Sequence, residues 1–168
     1  MNREIISGVE QVMYKHFRKL RAIKRKRKVV CRKEKSFQKF EDDIINCNYK
    51  LEHSIGSIRY DQERVSGGEK QSSVEAALIK AHDALETKMA DIITEISYLN
   101  IEIEEMMSEV SEMEELLASL TDEENLLLMY RYGNRMTLEQ VGTELGWSQS
   151  QVSRNRDRII SWVHSEIL

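Results

Sequence analysis

Apolar residues in the first part of the chain recur at alternating steps of three and four, the spacing of one stripe on an α-helix. Ile6, Val9, Met13, His16, Leu20 and Ile23 carry the stripe and predict a helix over 3–30. Phe37, Phe40, Ile44, Cys47, Leu51, Ile55 and Ile58 resume it over 36–58, a second helical unit on which Cys47 serves as a small buried hydrophobe. The stretch DQERVSGGEKQSS, 61–73, breaks the pattern at Gly67-Gly68 and predicts a loop, with Ser72 or Ser73 capping the next helix. From 73 to 119 the pattern is strongest. Met89, Ile92, Ile96, Leu99, Ile103, Met106, Val110, Met113, Leu117 and Leu120 alternate three and four without a miss, the heptad seam of a left-handed coiled coil. Val74, Leu78, Ala81 and Leu85 extend it backwards, with a small stutter between Leu85 and Met89.

The last part of the chain changes character. Three short helices are predicted over about 122–132, 138–145 and 149–165, because three capping boxes mark their starts: Thr121 with Glu124, Thr137 with Gln140, and Ser148 with Gln151. Gly133 and Gly146 stand where the first two must stop. Leu145 to Ser148 is the tight turn of a helix-turn-helix. Leu127, Leu128, Tyr132, Val141, Leu145, Trp147, Val152, Ile160 and Val163 fall where the three helices face one another. The expected architecture is all-α: a helical, coiled-coil region over 1–119 and a small helix-turn-helix domain over 120–168.

Charge sharpens this picture. The formal net charge of −4 conceals a strong segregation. Residues 1–40 hold 14 Lys or Arg against three acids, and Lys24, Arg25, Lys26, Arg27 and Lys28 form the densest run. Such a run is either a solvated helix face or a phosphate-contacting arm. The seam helix is acidic: from Glu75 to Glu115 there are 12 acids, against Lys80 and Lys88. A third role for the basic segment is therefore to neutralise the rod, within or between chains. A helix with this seam must pack on something. The preceding segments fold back across the loop but cover only part of it, so a homo-oligomer, with a dimer favoured, is expected through Met89, Ile92, Ile96, Leu99, Ile103, Met106, Val110, Met113 and Leu117.

Catalytic signals are missing. There is no Gly-rich phosphate loop, no HExxH and no CxxC. Cys31, Cys47, His53 and His82 are not at zinc-ligand spacing. No enzyme activity, cofactor, metal or small-molecule substrate is expected. Two cysteines without a disulfide framework, no apolar run of the roughly 20 residues that span a bilayer, and no signal-peptide pattern predict a cytoplasmic protein with no membrane partner.

With Val152 inward, Gln149, Ser150, Ser153, Arg154 and Asp157 lie on the outer face of the third helix, whose early turns enter the major groove in a helix-turn-helix. Gln149 suits adenine and Arg154 suits guanine. Arg156 and Arg158 are candidate phosphate contacts. For Gln149 and Ser150 the plainer role is capping, and for the three arginines a solvated surface.

The residues Leu120-Thr121, Arg131-Tyr132-Gly133, Thr137-Leu138-Glu139-Gln140-Val141-Gly142, Ser148 and Val152 resemble region 4 of primary sigma factors. That resemblance implies base reading at Gln149, Ser150 and Arg154. It implies phosphate contacts near Thr137, Glu139 and Gln140, where helix-start amides attract an anion. Neutral Gln149 and Ser150 replace charged reading positions, so the preference need not be that of a −35 element, and Asn155 occupies a core-side position. No region 2 is visible. The whole layout, with Arg64-Val65-Ser66-Gly67-Gly68 ahead of a long helix, resembles RinA/ArpU-type phage and prophage regulators. That resemblance implies a late-gene activator working in a bacterial host, with double-stranded DNA and, as a further candidate, RNA polymerase as partners. Two other readings stay open: a small-terminase-like subunit that recognises DNA for packaging, and a coiled-coil adaptor that contacts polymerase.

Overall fold

The computed structural model describes residues 3–48 and 73–167. Among the described residues there are no strands. The chain forms α1 (Arg3–Ile45), α2 (Ser73–Leu117), α3 (Asp122–Leu128), α4 (Leu138–Leu145) and α5 (Gln149–Ile167), with one π-helical turn, Met129–Gly133, between α3 and α4. In each of the two units described below, a stretch of α1 pairs with a stretch of α2. The expected helix over 73–119 is present, and the segments expected at 3–30 and 36–58 are not separate. Residues 31–35 (Cys-Arg-Lys-Glu-Lys) contain no breaker and are mostly long straight-chain residues that lose little rotamer freedom in a helix, so α1 runs through the pause in its apolar stripe. It ends at Ile45, not 58. The Cys47 amide bonds the Ile44 carbonyl and the Asn48 amide bonds the Asp43 carbonyl, with Cys47 left-handed at φ 53°. This is the Schellman closure, reached without glycine. Cys47 is consequently exposed, not a buried stripe member. Leu51, Ile55, Ile58 and the loop expected at 61–73 up to Ser72 lie outside the described residues.

The chain divides into two compact units, Met1–Lys28 with Ile101–Leu168, and Val29–Asn100. In the second unit Val30 is buried, and Phe37, Phe40, Ile44, Met89, Ile92, Ile96 and Leu99 are half-buried. Lys33 pairs with Glu95 there.

In the first unit α1 and α2 run antiparallel: His16 meets Glu114, Lys19 meets Glu109 at 2.5 Å, and Lys26 meets Glu102 at 2.6 Å. Both lysine pairs are substantially exposed, so each contributes at most about 1 kcal/mol. Their value is in setting register, as charged flanks do beside a heptad seam. One core cluster of this unit joins Val9 and Met13 of α1, Leu117 of α2, Leu127 and Leu128 of α3, Tyr132 of the π turn, Val141 of α4, and Val152, Ile159, Ile160 and Val163 of α5. The compact unit therefore extends beyond the 120–168 boundary expected from sequence. α1 supplies one wall of the cluster through Val9 and Met13. Tyr14 meets Tyr132 edge to face, with ring centroids 4.9 Å apart.

His16 is buried in this wall, its Nε2 2.7 Å from Glu114 Oε1. Burial lowers its pKa below 6.5; Glu114 opposes the shift and Lys19 reinforces it. A depressed folded-state pKa means that the unfolded chain takes up a proton first as pH falls. The associated stability is fully present above the unfolded value of 6.5 and is lost on acidification towards the folded value. Urea unfolding should show stability declining as pH falls below about 6.5, the unfolded histidine value. In His16→Gln that slope should flatten; equal slopes in the two proteins would refute the assignment.

Candidate nucleic-acid interface

All three capping boxes form. Thr121 and Glu124 bond reciprocally at the start of α3, and Thr137 and Gln140 at the start of α4. At α5 the Ser148 amide donates to Gln151 Oε1 at 2.8 Å, and the Gln151 amide donates to Ser148 Oγ at 3.3 Å. Gly146 ends α4 at φ 69°, a left-handed position that glycine adopts without penalty. Gly133 is the last residue of the first helical run, as expected, but it ends that run in another way. The first helix does not stop on a left-handed glycine: it widens into the π turn, where the Asn134 amide bonds the Met129 carbonyl. The positive φ falls on Arg135, at 59°. Gly133 is buried because Phe17 of α1 packs over it; an added Cβ would stand 3.3 Å from that ring.

The phase of α5 is set by Val152, Ile159, Ile160 and Val163, all essentially without exposure. This places Gln149, Ser150, Ser153 and Arg154 together. With Leu138 of α4 they line an open depression of about 450 Å³ at the start of α5. Arg154 is exposed, its Nε donating to the Ser150 carbonyl at 3.3 Å, and the hydroxyls of Ser148 and Ser150 lie 3.1 Å apart. The face therefore offers amide, hydroxyl and guanidinium groups to a ligand, the side-chain set that reads base edges.

The other two arginines of α5 have partners inside the unit. Arg156 sits one turn from both Val152 and Ile160, the core-side phase, and its side chain is only 18% exposed. It donates to Asp157 at 2.6 Å and lies 3.9 Å from Glu10 of α1, whose carboxylate also accepts from the Tyr132 hydroxyl at 3.1 Å. Burial works against its charge, but Asp157, Tyr132 and Glu10 outweigh it and raise its pKa above the ordinary arginine value. In the same network burial first, then Glu10, pushes the Tyr132 hydroxyl far above its usual range. Arg158 pairs with Glu124. The Thr121 amide bond is the main reason why the Glu124 carboxyl stays below the usual carboxylate range; burial opposes it, and the Thr121 hydroxyl and Arg158 add to it. Asn155 is half-buried. Glu139 is exposed in the first turn of α4, while Thr137 and Gln140 are engaged in its cap.

The basic run of α1 is split between faces. Lys26 donates to Glu102 and Arg27 reaches the Met107 thioether at 2.8 Å, both on α2. Lys24, Arg25 and Lys28 line a second depression with Arg18, Arg21 and Arg135. Of the proposed seam contacts, Ile103, Val110 and Leu117 are already buried within one chain, whereas Met89, Ile92, Ile96, Leu99, Met106 and Met113 are half-buried. Glu10, Arg18, Arg21 and Arg135 escaped the sequence reading: they join other groups only through long-range contacts, and no local motif marks them. Among the described residues His82, Asp83 and Glu86 are a grouping with metal-type side chains, on one largely exposed turn of α2 where solvated charges are common. No described helix is long and apolar enough to cross a membrane.

No curated protein and no solved structure matches the chain. The family model described as sigma-70, region 4, matches residues 116–160. That span runs from the end of α2 through α3 and α4 into α5, and it contains both capped helices of the helix-turn-helix and the open face of Gln149, Ser150, Ser153 and Arg154. Residues 116–160 are therefore similar to sigma-70 region 4, a helix-turn-helix of the DNA-binding type.

Proposed function

We propose that this protein is a sequence-specific regulator of transcription that acts without catalysis and reads duplex DNA with Gln149, Ser150, Ser153 and Arg154. The observation that carries the reading is that they line one open depression at the start of α5, inside the segment that matches region 4. The partners of Arg156 and Arg158 favour a holding role for both: Arg156 ties α5 to α1 through Glu10, and Arg158 ties it to the start of α3 through Glu124. Base reading then rests on Arg154 and Gln149. The pairing of two long helices with a segment similar to region 4 supports a phage or prophage late-gene activator of the RinA/ArpU type. Action as an oligomer is supported by the half-buried seam of α2 over Met89 to Leu99, and by Ile93 and Tyr98, which are 51% and 67% exposed. Two reading heads on two half-sites would raise affinity through effective concentration.

Selection of preferred duplexes from a random pool, followed by binding measurements with Arg154→Ala, tests this reading. The variant should lose roughly 1–3 kcal/mol of discrimination, about 5- to 150-fold, at one base-pair position, with little change on unrelated DNA. Unchanged discrimination would show that the reading face is elsewhere. Failure of the wild type to bind any duplex at low salt would remove DNA as the ligand.

A further inference from the structure

The cations of α1 are divided by helical phase. Lys19, Lys26 and Lys33 are seven residues apart and meet Glu109, Glu102 and Glu95 in turn. Arg18, Arg21, Arg25 and Lys28 alternate steps of three and four, which puts them on one different stripe, with Lys24 at its edge. In the first unit that stripe faces the turn before α4. Arg21 donates to the Gly133 carbonyl, which holds the two segments together. Two residues later Arg135 takes a left-handed φ of 59°, a conformation that a non-glycine residue adopts at a cost. The result is an open depression of about 560 Å³ lined by Arg18, Arg21, Lys24, Arg25, Lys28 and Arg135, with no acid in the lining.

Six like charges around one concavity repel, and a polyanion relieves that repulsion. Arg135 is two residues from Thr137, the N-cap of the first helix of the helix-turn-helix, so the basic stripe continues directly into the DNA-binding motif. We infer that this depression is a second DNA-contacting surface, one that grips the sugar-phosphate backbone of the same duplex that the α5 face reads. This inference rests on the DNA-binding function proposed above. It divides the labour within the domain: α5 supplies little uncommitted positive charge, and the stripe of α1 supplies the electrostatic affinity that sequence reading lacks. It also separates two roles within one basic run, since Lys26 serves the hairpin register while Lys24 and Arg25 serve DNA.

The test combines Arg18→Gln, Lys24→Gln, Arg25→Gln and Arg135→Gln, leaving Arg21 in place because it bonds the Gly133 carbonyl. The readout is the slope of log affinity against log salt, on a preferred duplex and on an unrelated one, with far-ultraviolet circular dichroism and thermal midpoint as fold controls. Each cation removed from a phosphate should flatten the slope by about 0.9, so the combined variant should lose roughly 3.6, with affinity falling in parallel on both duplexes and base preference retained. Lys26→Gln is the comparison and should leave the slope nearly unchanged. A combined variant with an unchanged slope, beside an Arg154→Ala variant that still relaxes discrimination, would overturn the backbone-gripping surface and leave the reading face standing. A slope flattened as much by Lys26→Gln alone as by any one of the four would also overturn it, because the effect would then be net charge rather than this surface.

Discussion

Replacing Gly142 with alanine is expected to destabilise the protein by about 2–3 kcal/mol, the cost of overpacking a filled site. In an ordinary helix interior the same change would stabilise by roughly 0.5–1 kcal/mol, because glycine loses more backbone freedom on folding. The environment of Gly142 reverses the sign. Its carbonyl accepts from the Trp147 amide at 2.8 Å, so the chain leaving α4 turns back onto it. An alanine Cβ would stand 2.5 Å from the Trp147 carbonyl oxygen and 3.6 Å from Val152. The near atom is backbone, so a side-chain rotation cannot relieve the clash. Relief requires moving the turn, and the turn sets the angle at which α5 presents Gln149 and Arg154. Gly8→Ala is the internal control: it lies inside α1 with nothing within 4 Å of an added Cβ, and should stabilise slightly. Urea unfolding of both variants decides the matter. A Gly142→Ala protein as stable as the wild type would mean that the turn is not packed as described.

Met13→Ala should cost about 2–5 kcal/mol, the range for emptying a buried methionine-sized site. The informative part is where the destabilisation is felt. Met13 has no exposed surface and belongs to α1, yet it shares one cluster with residues of α3, the π turn, α4 and α5. The effect should therefore reach the DNA-binding domain, more than 100 residues away in sequence. Trp147 and Trp162 both pack on the same cluster and are the two tryptophans in the chain, so their fluorescence reports on this domain directly. The midpoint of the fluorescence transition should drop sharply in Met13→Ala. Val12→Ala, one residue away at a position 40% exposed, should move it little. A fluorescence midpoint indifferent to Met13→Ala would show that the domain folds without α1.

What could be read from the sequence was local. The three capping boxes bond groups three residues apart, and Gly146 answers a backbone requirement at its own position. The ends of α4 and the start of α5 are set by these signals directly. The apolar periodicity of α2 was equally legible, since every step of three or four is a neighbour on the same helix. Where a signal was read as local but depended on something distant, expectation and structure part. The paused stripe near residue 31 looked like a break, and the helix continued because nothing there opposes it. Gly133 ends its helix as read, but through a π turn and not a left-handed φ, and the close approach of Phe17 to it is a contact that no local signal shows.

The candidate site divides the same way. The phase of Val152 was enough to turn Gln149, Ser150, Ser153 and Arg154 to one face, because neighbouring turns of one helix share a single rotation. Arg156 and Arg158 carry the same charge in the same helix, and only tertiary contacts with Glu10 and Glu124 distinguish them from Arg154. The run from Lys24 to Lys28 could be read as an arm for DNA or as a counter-charge for the acidic rod. Folding assigns Lys26 to Glu102 and gathers Lys24, Arg25 and Lys28 with Arg135. By itself, then, the sequence determined the helices, most of their ends and the outward face of α5, all of which depend on hydrogen bonds and periodicity within about four residues. Tertiary structure alone decided which wall closes the helix-turn-helix and which cations are neutralised, because burial and ion pairing depend on partners that only the packing of α1 against the rest of the first unit brings within reach.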